Sequence, residues 1–238
     1  MRFKITLFAK GKQLPINYQY PLSAAIYKII DKADKDYAEF LHETGYGKGF
    51  KLFCFSDLRG KFKAEGDRFN LQNDTISFEI SFHLPEASQN FIKGLFMSQQ
   101  MDIADKKSRV SGIVQTVETL PNPFAGKKDH EIVQAKFETA SACVAGSKNE
   151  KDNYEFLAPT DPRFAESLLY NWKEKIKSVL PDVDIAQQML SIEVKLFDKL
   201  PKSRLMTIKA DTPAETKIRG FTDFGLEVIG EKRFVELL

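Results

Sequence analysis

Residues 75–96 read TISFEISFHLPEASQNFIKGLF. Apolar and polar residues alternate cleanly over 75–83, which is the two-residue period of a strand buried on one face. Pro85 then opens a helix whose apolar positions Phe91, Ile92, Leu95 and Phe96 are expected on one face. A strand running straight into a helix is half of a crossover unit, and the sequence on either side supplies the rest.

Upstream, Phe3, Ile5 and Leu7 alternate with Lys4 and Thr6, predicting a first strand over residues 2–10. After Pro15 and Pro21, residues Leu22, Ala25, Ile26, Ile29 and Ile30 have the spacing of an amphipathic helix. Tyr37, Phe40 and Leu41 repeat that spacing. Between the two runs, residues 31–36 (DKADKD) lack large apolar side chains, and Asp34 can cap a second helix. Gly45, Gly47 and Gly49 start a loop that exposes Tyr46 and Lys48. Residues 51–55 read as a strand, and Phe62 and Phe69 beside Gly60 and Gly66 as a small ribbon next to it. Residues 108–120 read as one further strand. The order strand, helix, strand, strand, helix, strand is the ferredoxin-like arrangement.

Pro121, Asn122, Pro123 and the polar run 126–130 form a linker, and the order then begins again. Residues 132–144 predict a strand, 145–153 a polar loop, and Asp161–Pro162 a helix through Phe164, Leu168, Leu169, Trp172, Ile176 and Leu180. Strands are expected over 189–197, 205–209 and 218–228, and a helix over 231–238. The chain is therefore an α+β protein of tandem ferredoxin-like (βαββαβ) domains, 1–121 and 131–238, joined by 122–130. The second lacks its last strand.

The 238 residues, 42% hydrophobic and 29% charged with a net charge of +2, describe a folded chain and exclude a disordered one. No apolar run reaches bilayer length, and the lysine-interrupted N-terminus does not read as a signal peptide. Cys54 and Cys143 stand apart from any CxxC or Cys/His cluster, so no zinc site, disulfide framework or other cofactor is expected. A reducing cytoplasm suits such a chain.

Three residues carry candidate chemistry: Tyr27, His42 and Lys48. On one straight helix the first two would stand roughly 22 Å apart, too far to serve one reacting atom. The break near Asp34 lets two shorter helices bring all three together. Histidine moves protons near neutral pH, tyrosine orients or accepts a proton, and lysine holds charge developing on a phosphate. Together they suit RNA cleavage by the neighbouring 2′-hydroxyl, a reaction that needs no metal. The structural alternative has Tyr27 covering a core edge, His42 near a helix C-terminus and Lys48 solvated. GYGKG (45–49) lacks the spacing of a phosphate-cradling P-loop. His83 and His130 read as structural or surface residues.

Residues 195–219 carry seven Lys/Arg against Asp198, Asp211 and Glu215. By charge alone they are a solvated hairpin face or a phosphate contact.

Several dispersed stretches, in order, resemble one family. MRFKI is similar to its opening strand. PLSAAIYKII, with Tyr27, and FLHETGYGKGFKLFCFSDL, with His42 and Lys48, are similar to its catalytic region. FETASACV and LAPTDPRFAESLLYNW are similar to the start of its second domain, and KIRGFTDFGLEVIG to its closing region. The family is that of the CRISPR-associated endoribonucleases cutting precursor CRISPR RNA within its repeats, in the repeat-associated mysterious protein (RAMP) superfamily.

The resemblance implies two ferredoxin-like domains holding CRISPR repeat RNA on a basic face or in the cleft between them. It implies His42 as the proton-transferring residue, Tyr27 as its partner, Lys48 as the transition-state cation, and no metal. Products would carry a 2′,3′-cyclic phosphate and a 5′-hydroxyl. Lys195, Lys199, Lys202, Arg204, Lys217 and Arg219 become candidate phosphate contacts, and a CRISPR effector complex a candidate recipient of the product. A non-catalytic RNA-binding subunit of the same superfamily is the alternative. The family's glycine-rich loop after the last helix is not found before Leu238. On this expectation a sheet edge is left open in the second domain, which a homodimer would cover.

Overall fold

The computed structural model describes every residue except 12, 149, 151–153 and 211. It divides into two compact units. One consists of Met1–Gly45, Lys51–Asn122 and Thr207–Ala214, the other of Tyr46–Phe50, Pro123–Met206 and Glu215–Leu238.

The first unit begins with β1 (Arg2–Lys10) and β2 (Gln13–Pro15), then α1 (Gln19–Ala33) and α2 (Lys35–Glu39). Next come β3 (Phe53–Phe55), β4 (Phe62–Glu65), β5 (Arg68–Leu71), β6 (Thr75–Phe82), α3 (Pro85–Met97), β7 (Gln100–Ala104) and β8 (Arg109–Leu120). The main sheet has the order β3-β6-β1-β8-β7. Antiparallel register sets Phe3 opposite Ile80, Ile5 opposite Phe78 and Leu7 opposite Ile76. All six are buried, because alternation puts them on the one face that α1 and α3 cover. Leu22, Ala25, Ile26, Ile29 and Ile30 of α1 and Ala87, Phe91 and Leu95 of α3 complete this core.

Several expectations are corrected here. Phe96 is 87% exposed, because Ala87, Ser88, Phe91, Gly94 and Leu95 form the buried face and Phe96 lies about 100° round from Leu95. The ribbon of β4 and β5 does not lie beside β3; it joins β2 in a separate sheet of order β2-β5-β4. The strand expected over 108–120 is the second arm of a hairpin whose first arm is β7.

The second unit contains β9 (Ile132–Glu138), β10 (Gly146–Lys148), β11 (Tyr154–Phe156) and α4 (Pro162–Val179). After these follow β12 (Ser191–Leu196), β13 (Lys202–Ile208, whose last two residues count with the first unit), β14 (Thr216–Thr222), β15 (Phe224–Glu231) and the short α5 (Lys232–Val235). Its sheet has the order β12-β15-β9 among the described residues. Phe164, Trp172 and Ile176 are the fully buried face of α4, and Trp172 Nε1 donates to the Phe234 carbonyl at 2.7 Å.

Here too the sequence reading is revised. The strand predicted over 218–228 is two strands, because Asp223 takes φ 64° and turns the chain between β14 and β15. Aspartate tolerates that left-handed conformation better than most residues. The strand predicted over 132–144 ends at Glu138. The loop predicted over 145–153 is partly strand, β10, paired with β11; its residues 149 and 151–153 lie outside the described residues. The C-terminal helix is the single turn α5 rather than residues 231–238.

Candidate active site

In the first unit, two elements build the surroundings of His42. Asp34 leaves helical geometry between α1 and α2, and its carboxylate accepts from the Tyr37 N–H at 3.0 Å. It starts α2, as a capping aspartate does. A π-helical turn, Phe40–Thr44, follows, closed by the Gly45 N–H donating to the Phe40 carbonyl at 2.7 Å. Such turns are rare and concentrate at functional sites. Leu41 is fully buried and anchors the turn, while its neighbour His42 is exposed.

The His42 and Tyr27 rings meet in a T-shaped contact, with centroids 5.2 Å apart and planes at 85°. Tyr27 is half-buried and also stands against Phe53, at 5.6 Å. From there rings continue inward through Phe82 (5.7 Å) to Phe91 (5.3 Å). The two T-shaped pairs, Tyr27–His42 and Tyr27–Phe53, are favourable beyond the area that they bury. Burial pushes the Tyr27 hydroxyl above the ordinary tyrosine pKa, so it stays protonated at neutral pH.

The sequence reading missed Lys51. Its ammonium donates to the His42 carbonyl at 2.9 Å, and burial lowers its pKa. Its signal in the sequence was weak: a lysine shortly after a helix end can bond the last carbonyls.

The second unit holds Lys48 at the tip of a tight turn. Tyr46 and Phe50 exchange backbone hydrogen bonds of 2.8 Å, and Gly47 and Gly49 take φ 54° and 91° between them. A side chain at Gly47 would crowd Ser178 of α4 as well as strain the backbone. The Lys48 ammonium lies 2.9 Å from a Glu174 oxygen and donates to the Tyr170 hydroxyl at 2.8 Å. Tyr170 first, and Glu174 after it, raise the lysine pKa. An ammonium has three N–H donors, so one remains for a ligand.

The structure thus pairs Tyr27 with His42 in one unit and gives Lys48 to the other, where its loop is held by Tyr170 and Glu174 of α4.

The basic residues do not form one hairpin. Lys195 lies on β12, paired with Glu193 and with Glu227 at 3.1 Å. Lys202 and Arg204 alternate on β13, and Lys217 and Arg219 on β14. Lys202 pairs with Asp223 at 2.7 Å. Arg219 donates to Ser203 at 3.2 Å, on the side of β13 opposite Lys202 and Arg204. Lys199 and Lys217 are exposed. His130 is exposed beside Glu231 at 3.0 Å. Among the described residues, no group of three or more His, Cys, Asp or Glu is placed to hold a metal ion, and no helix is long and apolar enough to cross a membrane.

Comparison with known proteins gives the relationship. The chain is 30% identical over 113 residues to the CRISPR-associated endoribonuclease Cas6 of Pyrococcus furiosus, a match covering 45% of this chain and 42% of that one. It is 29% identical over 171 residues to the CRISPR-associated endoribonuclease Cas6 1 of Methanocaldococcus jannaschii, covering 69% and 61%. The matched stretches therefore span less than two thirds of either relative. A solved structure of a Cas6-related protein from Pyrococcus furiosus superposes with a TM-score of 0.77 at 21% identity, over 100% of this chain and 90% of that one. That likeness shows a shared α+β fold with antiparallel sheets. The profile for the N-terminal part of CRISPR-associated protein Cas6 matches residues 13–117, and the one for its C-terminal part matches residues 125–238. Two halves of one family follow each other in order over nearly the whole sequence, and the chain belongs to the CRISPR-associated Cas6 family.

Proposed function

We propose that this protein is a metal-independent endoribonuclease that cuts precursor CRISPR RNA within its repeats. The observation that carries the reading is the Tyr27–His42 pair, an exposed imidazole in T-shaped contact with a half-buried tyrosine. The two curated relatives bear the name of endoribonuclease, which supports it. Both units are read as versions of one βαββαβ plan. The first follows it through β1, α1, β3, β6, α3 and β8; the second follows it through β9, α4, β12 and β15.

The chemistry then runs as follows. The 2′-oxygen beside the scissile phosphate attacks phosphorus, forming a P–O2′ bond. The P–O5′ bond breaks, leaving a 2′,3′-cyclic phosphate and a 5′-hydroxyl. One proton must leave the 2′-hydroxyl and one must reach the 5′-oxygen; His42 is the transfer group. Tyr27, with its hydroxyl protonated, fixes the imidazole and can donate a hydrogen bond to a phosphate oxygen. Lys48 offers its remaining donor to the crowded phosphate. Lys195, Lys199, Lys202, Arg204, Lys217 and Arg219 are assigned to RNA phosphates.

The test is cleavage of end-labelled repeat RNA in excess EDTA by wild type and His42→Ala. A single cut with a cyclic phosphate end is expected, slowed roughly 10²–10⁴-fold in the variant with RNA binding kept. Binding with no cut by wild type would instead make the protein a non-catalytic RNA-binding subunit. Equal loss of binding and cutting in the variant would make His42 structural.

A further inference from the structure

A groove of about 760 Å³ opens on the first unit, lined by residues that the Tyr27–His42 pair does not include. This is within the volume range of sites that hold small molecules, roughly 300–1,000 Å³. One wall is Gln13 on β2 with Asn70 and the following Gln72 at the end of β5. The other is Lys107, Ser108 and Arg109, where the β7–β8 turn enters β8. Leu71 supplies an apolar patch between them.

The basic turn is built. Arg68 on β5 is only 9% exposed, and it donates to an Asp105 oxygen at 2.7 Å. The other Asp105 oxygen accepts from the Lys107 N–H (2.9 Å), the Ser108 N–H (2.7 Å) and the Ser108 hydroxyl (3.2 Å). Strand β5, which also carries Asn70, is therefore fastened to the turn that carries Lys107 and Ser108. Burial pushes the Asp105 carboxyl up, but the Ser108 and Lys107 amides and the Arg68 guanidinium outweigh it and hold the group below the usual carboxylate range.

The lining has a consistent chemistry. Gln13 is an amide with a donor and an acceptor, while Asn70 donates to a Glu65 oxygen at 2.5 Å and Gln72 to the Asn70 carbonyl at 3.2 Å, bonds that fix the two amides and keep their oxygens as acceptors for a base edge. Lys107 and Arg109 line the same groove, and the carboxylate that touches its lining amides, Glu65, is bonded to Asn70. Outside the groove, Lys107 pairs with Asp67 at 3.4 Å and Arg109 with Asp102. Such exposed pairs contribute little, so a phosphate can replace the carboxylate at small cost. Cations for phosphates with amides for bases match a nucleotide strand better than a peptide. Free base edges are found in single-stranded RNA, since the A-form helix hides them in a deep, narrow groove.

We propose that this groove is a subsite for a single-stranded stretch of the RNA, with Lys107 and Arg109 on consecutive phosphates and Gln13, Asn70 and Gln72 on a base. The inference rests on the reading of the chain as an RNA-processing protein. It adds a place where sequence is read, distinct from the place where the strand is cut.

The experiment measures anisotropy of a fluorescently labelled single-stranded repeat RNA between 50 and 200 mM salt, on a His42→Ala background so that cleavage is slow against the measurement. The parent is compared with Lys107→Gln/Arg109→Gln and with Gln13→Ala/Gln72→Ala, the fold of each being checked by its thermal midpoint. Loss of two phosphate contacts should lower the slope of log affinity against log salt by roughly 1.4, about 0.7 per phosphate for a single strand. The amide variant should keep the slope while losing preference at one nucleotide position. If the parent binds and both variants match it in slope and preference, the groove is not a subsite. If the parent binds no repeat RNA, the functional reading itself fails, and the inference with it.

Discussion

Lys48 and Lys51 stand three residues apart and have opposite surroundings. Lys48 is exposed, ion-paired with Glu174 and bonded to Tyr170; Lys51 sits over the His42 carbonyl with its charge disfavoured by burial. The geometry makes Lys51 a positioning residue that ties down the π-helical turn beneath the imidazole. On the proposed reading, Lys51→Met should lower the cleavage rate roughly 10–100-fold with substrate affinity retained, since a shift of about 1 Å at a reacting group can cost that much. Lys51→Arg, which keeps the donor, should recover most of the rate. A Met variant with wild-type kcat would remove the role. Lys48 was legible in the sequence because glycines on both sides of a lysine mark an exposed tip. Lys51 was not, because its partner is a carbonyl, and no side-chain pattern announces which carbonyl a turn will present.

Among the elements, the long alternating strands and the face of α1 were legible because a single period runs through many residues. Asp34 was legible too: a small acidic residue in a gap between apolar runs has few other uses, and it does cap α2. The short strands β2, β7, β10 and β11 were not, because three to five residues carry too little pattern to separate strand from loop. Asp223 escaped for another reason: a one-residue excursion to φ 64° leaves the apolar alternation around it intact. Phe96 misled because it adjoins Leu95, and the helix face is decided by Gly94 instead. A Cβ at Gly94 would run into the Ile29 carbonyl, so α3 and α1 touch through that glycine. Gly94→Ala should therefore destabilise by roughly 1–3 kcal/mol, read as a thermal midpoint lower by about 2–4 °C for each kcal/mol. An unchanged midpoint would mean that the two helices can part without loss.

At the scale of the whole molecule, a net charge of +2 hides the basic strands β13 and β14. On the proposed reading, Lys202→Ala/Arg204→Ala should weaken repeat RNA binding at low salt and flatten its salt dependence by about 0.7 per lost phosphate contact. An unchanged slope would remove both side chains from the RNA interface. The division of Tyr27 and His42 from Lys48 between two units was not legible, because spacing along the chain says nothing about which unit a five-residue loop joins. That split bears on synthesis. Tyr170, which seats Lys48, lies 122 residues further along the chain. At about 5–20 residues per second, a ribosome reaches it roughly 6–24 s after it has made the lysine. During that interval the growing chain already carries Tyr27, His42 and Lys51, but Lys48 has no seat. On the proposed reading the enzyme is born disarmed, and it acquires its third reagent only once translation has passed the helix that holds it.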